Sequence, residues 1–259
     1  MKIAIVGAGP SGLTAAWAAT TCGHSVTLFD KTKQLGKNHG VFYLHDCCGL
    51  PMLPHARLIT KVVGGGTSGV SASELYSQKV YGEVGSDVSL DKYGSRQNRL
   101  STVWNAQAAM ELLSSLFSEN IEEKEIKGPN GIEELLNDYE KVIITAPAFL
   151  FVDIGLRNEF KSTIAHIKHI ETNFPHDKAI MVYSVGEDPV YRWSITFGQL
   201  AIERTTPTLG FFEVKKVKGT TVDLKSYDSN ILWTGRYGAW DKNVLTHDVY
   251  IQVIEWLTN

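Results

Sequence analysis

Gly7, Gly9 and Gly12 stand in the run Gly-Ala-Gly-Pro-Ser-Gly, and Asp30 follows 18 residues after the last of them. This spacing is suited to binding a dinucleotide pyrophosphate. Gly7 permits a tight turn out of a strand, Gly9 offers no Cβ to hold a phosphate away from the backbone, and Gly12 lets the next helix pack closely. Phosphate charge would then rest on the helix N-terminus, where unpaired N–H groups and the positive dipole end favour anions. Asp30 lies near the ~20-residue offset at which a carboxylate accepts a ribose hydroxyl, which disfavours a 2′-phosphate.

The elements needed to position these residues are legible around them. Lys2 to Val6 is a β-branched run that ends at Gly7 and reads as a buried parallel strand. Leu13 to Ala19 is alanine-rich and predicts a helix stopped by Gly23, and Ser25 to Asp30 predicts a second strand. Strand, glycine turn, helix, strand and acid thus occur in order within 30 residues. By itself this arrangement permits NAD or FAD.

The stretch 31–100 is rich in glycine, serine and tyrosine, with β signals at Ala56–Ile59 and Gln78–Tyr81 and no long helical period. Gly64 to Gly69 resembles a phosphate loop but lacks the Gly-Lys-Ser/Thr ending, so it reads as a turn. Residues 101–118 carry apolar side chains at helical spacing, with Ser101 or Thr102 as N-cap. Further on, Ile121–Lys127 predicts a strand, Gly131–Asn137 a short helix and Lys141–Thr145 a buried strand that stops at Ala146-Pro147. Residues 155–215 read mostly as antiparallel strands, including Tyr191–Phe197 and Leu200–Arg204. Asn230–Thr234 returns to a buried strand, Gly235–Gly238 to a loop and Thr246–Leu257 to a helix.

The chain has 259 residues, 43% apolar and 20% charged, with a net charge of −3. That composition predicts a globular protein with a sizeable core and no generic nucleic-acid-binding surface, although a few arginines can hold a nucleotide-like group at any net charge. Three cysteines, two of them the neighbours Cys47 and Cys48, do not make a disulfide framework, and a reducing cytoplasm is expected. Ile3–Val6 is too short for a signal or membrane segment. No metal-ligand spacing stands out, since adjacent thiols beside His45 and His55 make poor tetrahedral geometry.

Four segments together resemble the flavoprotein superfamily that contains amine oxidases, protoporphyrinogen oxidase and UDP-galactopyranose mutase. They are Ile5–Gly12, Lys141–Pro147, Tyr191-Arg192-Trp193 and Thr234–Trp240. The late Gly235-Arg236-x-Gly238-x-Trp240 pattern followed by a helix resembles the family's return to its flavin, and implies FAD as the cofactor. The resemblance implies cofactor contacts at Gly7, Ala8, Gly9, Pro10, Ser11 and Gly12, and at Asp30 and Lys31. It implies further contacts at Ile126, Ala146 and Pro147, and at Gly235, Arg236, Trp240 and Leu245. Arg236 would neutralise phosphate charge, or else form a surface ion pair, and the helix near Leu245 would aim N–H groups at the flavin. Trp240 has simple core packing as its alternative.

The implied fold is α/β, a Rossmann-type FAD-binding domain with a small, mostly antiparallel β substrate lobe. The FAD domain is expected to be discontinuous, from 1–45, 101–150 and 225–259, with the lobe at 46–100 and 151–224. Compared with typical members the chain is short, and the shortening is expected in the lobe. Gly36-Lys37-Asn38-His39-Gly40 departs from the family's glycine pair, and Asp30 stands where glutamate is common. Gly40–His45 and Tyr76–Gly82 are similar to short flavoproteins encoded by bacteriophages, some associated with thymine hypermodification; that would put the protein in the host cytoplasm.

The implied chemistry is FAD-dependent oxidation of a C–N bond in an amine or amino-acid-like substrate, free or nucleotide-linked. A mutase-like reaction on a nucleotide sugar and a non-catalytic flavin-binding module remain alternatives. The candidate catalytic residues are Arg192, Tyr191 and His45. Arg192 is expected either to bind a substrate carboxylate or phosphate, or to pair structurally with Glu203 or Asp188. Strand alternation would aim Tyr191 and Trp193 one way and Arg192 the other.

Overall fold

The computed structural model describes residues 1–32, 43–64, 70–83, 90 and 99–259. The Gly36–Gly40 departure and most of the Gly64–Gly69 turn lie outside the described residues. In chain order the elements begin β1 (Lys2–Val6), α1 (Pro10–Thr21), β2 (Ser25–Asp30), β3 (Tyr43–Leu44), β4 (His55–Val63), α2 (Ala72–Tyr81) and β5 (Arg99–Asn105). There follow α3 (Ala106–Leu116), β6 (Ile121–Glu123), α4 (Gly128–Asp138), β7 (Lys141–Ile144) and β8 (Phe160–Glu171). The chain closes with β9 (Lys178–Ser184), β10 (Val190–Thr196), β11 (Gln199–Arg204), β12 (Phe212–Thr220), β13 (Ile231–Trp233), α5 (Gly235–Gly238) and α6 (Thr246–Thr258).

Two compact units result, one from 1–51, 106–161 and 217–259, the other from 52–105 and 162–216. The first holds a five-stranded parallel sheet in the order β13-β7-β1-β2-β6. Both faces of its central strands are buried, as a parallel sheet requires. Ala4, Val6, Val142 and Ile144 point into a core shared with Trp233 and Trp240, while Ile3, Ile5 and Ile143, facing the other way, are also fully buried. α1 is buried through Gly12–Ala16 and again at Ala18 and Ala19, and Pro10 occupies its first turn, where a missing N–H costs nothing.

In the second unit the strand order β12-β8-β11-β10-β9-β4-β5 is mostly antiparallel, with β4 and β9 parallel. The structure corrects the sequence reading at several points. Residues 101–105 complete β5 instead of opening a helix, because Val103 is buried in the sheet opposite Ala56; α3 starts only at Ala106. Gln78–Tyr81 is the last turn of α2, not a strand. That helix is set by a capping box in which Ser71 Oγ accepts from Glu74 N–H and the Glu74 carboxylate accepts from Ser71 N–H. β8 is a twelve-residue strand within the 155–215 stretch that reads as mostly β, and Gly235–Gly238 is one helical turn in place of the expected loop.

Close backbone packing fixes the glycine turn. A Cβ on Gly12 would come 1.8 Å from Gly7 O, and one on Gly238 would come 2.1 Å from Ile144 O. Gly12→Ala is therefore expected to push α1 off β1, destabilising by about 1–3 kcal/mol or more, with a thermal midpoint several degrees lower. Thermal unfolding of the purified variant beside Gly9→Ala checks this. At Gly9 a Cβ meets nothing within 4 Å and φ is −74°, so its substitution should cost under about 1 kcal/mol.

Candidate cofactor cradle and a buried ionic network

The first unit gathers the glycine turn, Asp30, Thr145-Ala146 and Gly235 around the N-terminus of α1. Gly7 N–H donates to Phe29 O at 2.8 Å, which ties the turn to the end of β2. Ala8 N–H donates to Asp30 Oδ2 at 2.8 Å, and Thr32 N–H donates to Asp30 Oδ1 at 3.0 Å. Asp30 thus braces the turn and keeps further lone pairs for a hydroxyl donor. On the other flank Thr145 Oγ1 donates to Val6 O at 3.0 Å and Ala146 N–H donates to Val6 O at 3.0 Å. The sequence reading did not single out Thr145, although its hydroxyl locks β7 to the turn.

Gly235, with φ +74°, adopts the left-handed conformation, and a Cβ there would lie 2.6 Å from Ser11 Oγ. Its absent side chain therefore makes room for the dinucleotide turn itself, at a position where the resemblance implies a cofactor contact. The next residue, Arg236, has a buried Nε with no partner among the described residues. An orphaned buried donor is costly unless something binds it. Gly9 is exposed and open above the start of α1. An open glycine at a helix N-terminus, a braced carboxylate and an arginine donor without a partner fit a dinucleotide.

Other expected contacts fall differently. Trp240 is a core residue, the alternative weighed from sequence. Its ring meets Phe149 and Phe160 edge-on at 5.3 and 5.6 Å, and its indole N–H donates to Lys161 O at 3.0 Å. Ile126 is buried in the same core. Lys31 is exposed beside Asp30, and Pro147 leads into a short turn at Ala148–Leu150. Leu245 caps α6, but its N–H is taken by Asp248 Oδ2 at 2.7 Å, so that amide is not aimed outward.

His45 lies in this unit, its ring 5.0 Å from Tyr43 and 5.2 Å from His247. His247 Nε2 is in turn 3.4 Å from Asp248 Oδ1. The nearby thiol of Cys48 is buried and raised to about 12, by burial first and then by Asp46. It is protonated and a poor nucleophile. Among the described residues no group of three or more His, Cys, Asp or Glu is placed to hold a metal ion.

Tyr191 and Arg192 belong to the second unit, where both converge on Glu203. A bulge explains how neighbours share a partner. Val190 stands opposite Arg204 and Arg192 opposite Glu203, which leaves Tyr191 as the extra residue and cancels the expected alternation. The Tyr191 hydroxyl donates to Glu203 Oε2, Arg192 Nε and Nη2 donate to Oε1, and Lys216 Nζ donates to Oε2 at 2.6 Å. Arg192 thus takes the Glu203 pairing weighed from sequence. Tyr76 of α2 packs edge-on against Tyr191 and Tyr183.

Burial pushes the Glu203 carboxyl up, but Arg192 and Lys216 more than offset it and leave it at about 2. Tyr191 is pushed well above its ordinary value, by burial first and then by Glu203. Glu203 was named from sequence only as a partner for Arg192; an acid inside an apolar strand run, Leu200-Ala201-Ile202-Glu203, is the signal that would have marked it as the hub.

Residues 5–42 match the family described as NAD(P)-binding Rossmann-like domain. No curated protein sequence matches the chain. Among solved structures, the PF1083 protein from Pyrococcus furiosus is similar with a TM-score of 0.55 at 11% identity, covering 100% of this chain and 97% of that one. Putrescine oxidase bound to putrescine is similar at 0.56 and 9% identity, with 100% of both chains covered. The tetrameric form of 2-methyl-3-hydroxypyridine-5-carboxylic acid oxygenase gives 0.50 at 12%, covering 99% and 86%. The likeness is one of fold, a Rossmann-type parallel sheet joined to a mostly antiparallel one. No helix among the described residues is long and apolar enough to cross a membrane.

Glu203→Gln would leave Arg192 and Lys216 buried with too little counter-charge, and should destabilise by about 3–5 kcal/mol. The carboxyl is depressed from 4.5 to about 2, so its stabilisation is full above pH 4.5 and is lost as pH falls through 2. Urea unfolding between pH 2 and 7 should show an acid limb in the parent that is flatter in the variant.

Proposed function

We propose that the chain is an FAD-dependent oxidoreductase that oxidises a C–N bond of an amine or amino-acid-like group. The observation that carries the reading is the cradle's closure from the chain's C-terminal part. Gly235 packs on Ser11 of the dinucleotide turn, and Arg236 beside it has a buried donor without a partner among the described residues. An arginine returning to the turn from so late in the sequence agrees with the flavoprotein pattern more than with a simple nicotinamide half-site. The fold shared with putrescine oxidase, a protein seen with a diamine, agrees with an amine substrate at the level of architecture.

Bound FAD would supply the electron acceptor for the bond being oxidised. The chain's own residues would hold it. Asp30, already fixed by Ala8 and Thr32 N–H, would accept from the adenosine ribose, and its charge would repel a 2′-phosphate. Gly9 and the first turn of α1 would receive the pyrophosphate, and Arg236 would neutralise it. His45 would act near the reacting centre, placed by Tyr43 and by the His247–Asp248 pair. Tyr191 and Arg192 would serve by fixing the sheet of the second unit through Glu203.

The purified protein is expected to carry or take up FAD with a flavin absorbance band. It should be bleached anaerobically by one member of an amine panel that includes aminoacyl-modified nucleosides, and should form peroxide on admission of air. A colourless preparation that takes up no FAD would refute the reading. Turnover of a nucleotide sugar only after dithionite reduction would replace the oxidase with a mutase. Gly9→Ala separates cofactor binding from folding: its apo-protein should unfold within about 1 kcal/mol of the parent, while its FAD affinity falls at least tenfold in a flavin-fluorescence titration.

A further inference from the structure

The sheet of the second unit has two unlike faces. Register places Tyr183, Arg192, Ser194 and Glu203 on the face that α2 covers, where Ser194 and Glu203 are almost wholly buried. On the opposite face Val182 stands beside Trp193 and Trp193 beside Ile202, with Ile59, Ile180 and Ile195 continuing the row. Trp193 and these isoleucines are only half-buried, and Trp104 lies on the same face at β5.

Cations flank this apolar strip on both sides. On β4 and β9, Arg57 stands opposite Lys178 and Lys61 opposite Val182, and all three cations are exposed. On β8 and β11, Lys168 stands opposite Ile202, and Arg204 opposite His166. Lys168 and Arg204 both lie over the Phe211 ring, at 6.0 and 5.7 Å from its centroid. Arg204 Nε is buried with no partner among the described residues. None of the five cations has a carboxylate partner among those residues. Alternation from Phe211 puts Glu213, on edge strand β12, on this side, the one acid that the described strands place there. The chain's net charge of −3 conceals this segregation.

We propose that this face binds single-stranded nucleic acid, with bases stacked on Trp193 and phosphates held by the two cationic flanks. A half-buried aromatic on a sheet between cations without carboxylate partners among the described residues is the chemistry such strands require. The outer strands of the two flanks, β4 and β8, lie four strand spacings apart, about 19 Å, too far for one phosphate to bridge and suited to a short oligonucleotide. An apolar ligand would not need the cations, and a free anion would not need the tryptophan. The proposal goes beyond the oxidoreductase reading and is measured without turnover.

Fluorescence anisotropy of the full chain with labelled oligothymidylate and oligouridylate should show saturable binding at low salt. The slope of log affinity against log salt should be roughly −2 to −4, for three to five neutralised phosphates. The double variant Arg57→Glu/Lys178→Glu should weaken binding at least tenfold and flatten that slope, and Trp193→Ala should weaken binding about tenfold. The charge-matched control Lys127→Glu, an exposed residue of the other unit, should bind as the parent does. Millimolar thymidine monophosphate should not displace the oligonucleotide. Absence of binding at low salt, unchanged affinity in the double variant, an equal loss in Lys127→Glu, or displacement by the mononucleotide would each overturn the proposal.

Discussion

Backbone packed directly against backbone around Gly7 is the constraint on which the first unit depends. Gly12 brings α1 against the carbonyl of Gly7, and Gly238 brings the C-terminal turn against the carbonyl of Ile144. Thr145 ties β7 to Val6 and Gly7 between them. Three stretches of chain far apart in sequence meet almost backbone to backbone, with the Thr145 hydroxyl bridging β7 to the turn. Any methyl group there would separate elements whose distances define the cradle, so a few glycines account for both the fold's stability and the site's shape.

This explains what the sequence made legible. Strand, glycine turn, helix and acid are contiguous in residues 2–30, and each carries a local signal, so the parallel β1–β2 pair and the Asp30 position follow from spacing alone. The role of Gly235 did not follow. A late glycine before an arginine is compatible with approach to phosphate or to protein, and only the tertiary contact with Ser11 decides between them. Trp240 shows the same limit. An aromatic after a glycine motif reads equally as ligand contact or core, and the ring contacts with Phe149 and Phe160 make it core.

The second unit was less legible because its stabilising contacts are non-local. β8 looks mixed along its length, since neighbours on both sides decide which of its residues are buried. The bulge at Tyr191 leaves no mark in a sequence read by alternation, yet it turns two adjacent side chains toward one carboxylate. α2 was missed for a different reason. Its Ser71-to-Glu74 capping signal is present, but the polar, weakly periodic residues after it hide the helix.

Glu203 also organises one face of the second unit's sheet. Arg192 and Lys216 neutralise it, Tyr191 donates to it, and α2 closes over Tyr191 and Tyr183 through Tyr76. A buried carboxylate bound by three donors at once leaves little capacity for a further ligand, and breaking it open would strand two cations in a low-dielectric site. Trp193, two residues beyond the extra Tyr191, is turned to the other side, among half-buried apolar residues and cations with no carboxylate partner among the described residues. The extra residue in β10 thus turns Tyr191 to the same face as Arg192, while ordinary alternation puts Trp193 on the other. On one face the charges are satisfied internally and hold the fold; on the other Arg57, Lys61, Lys178, Lys168 and Arg204 have no carboxylate partner among the described residues.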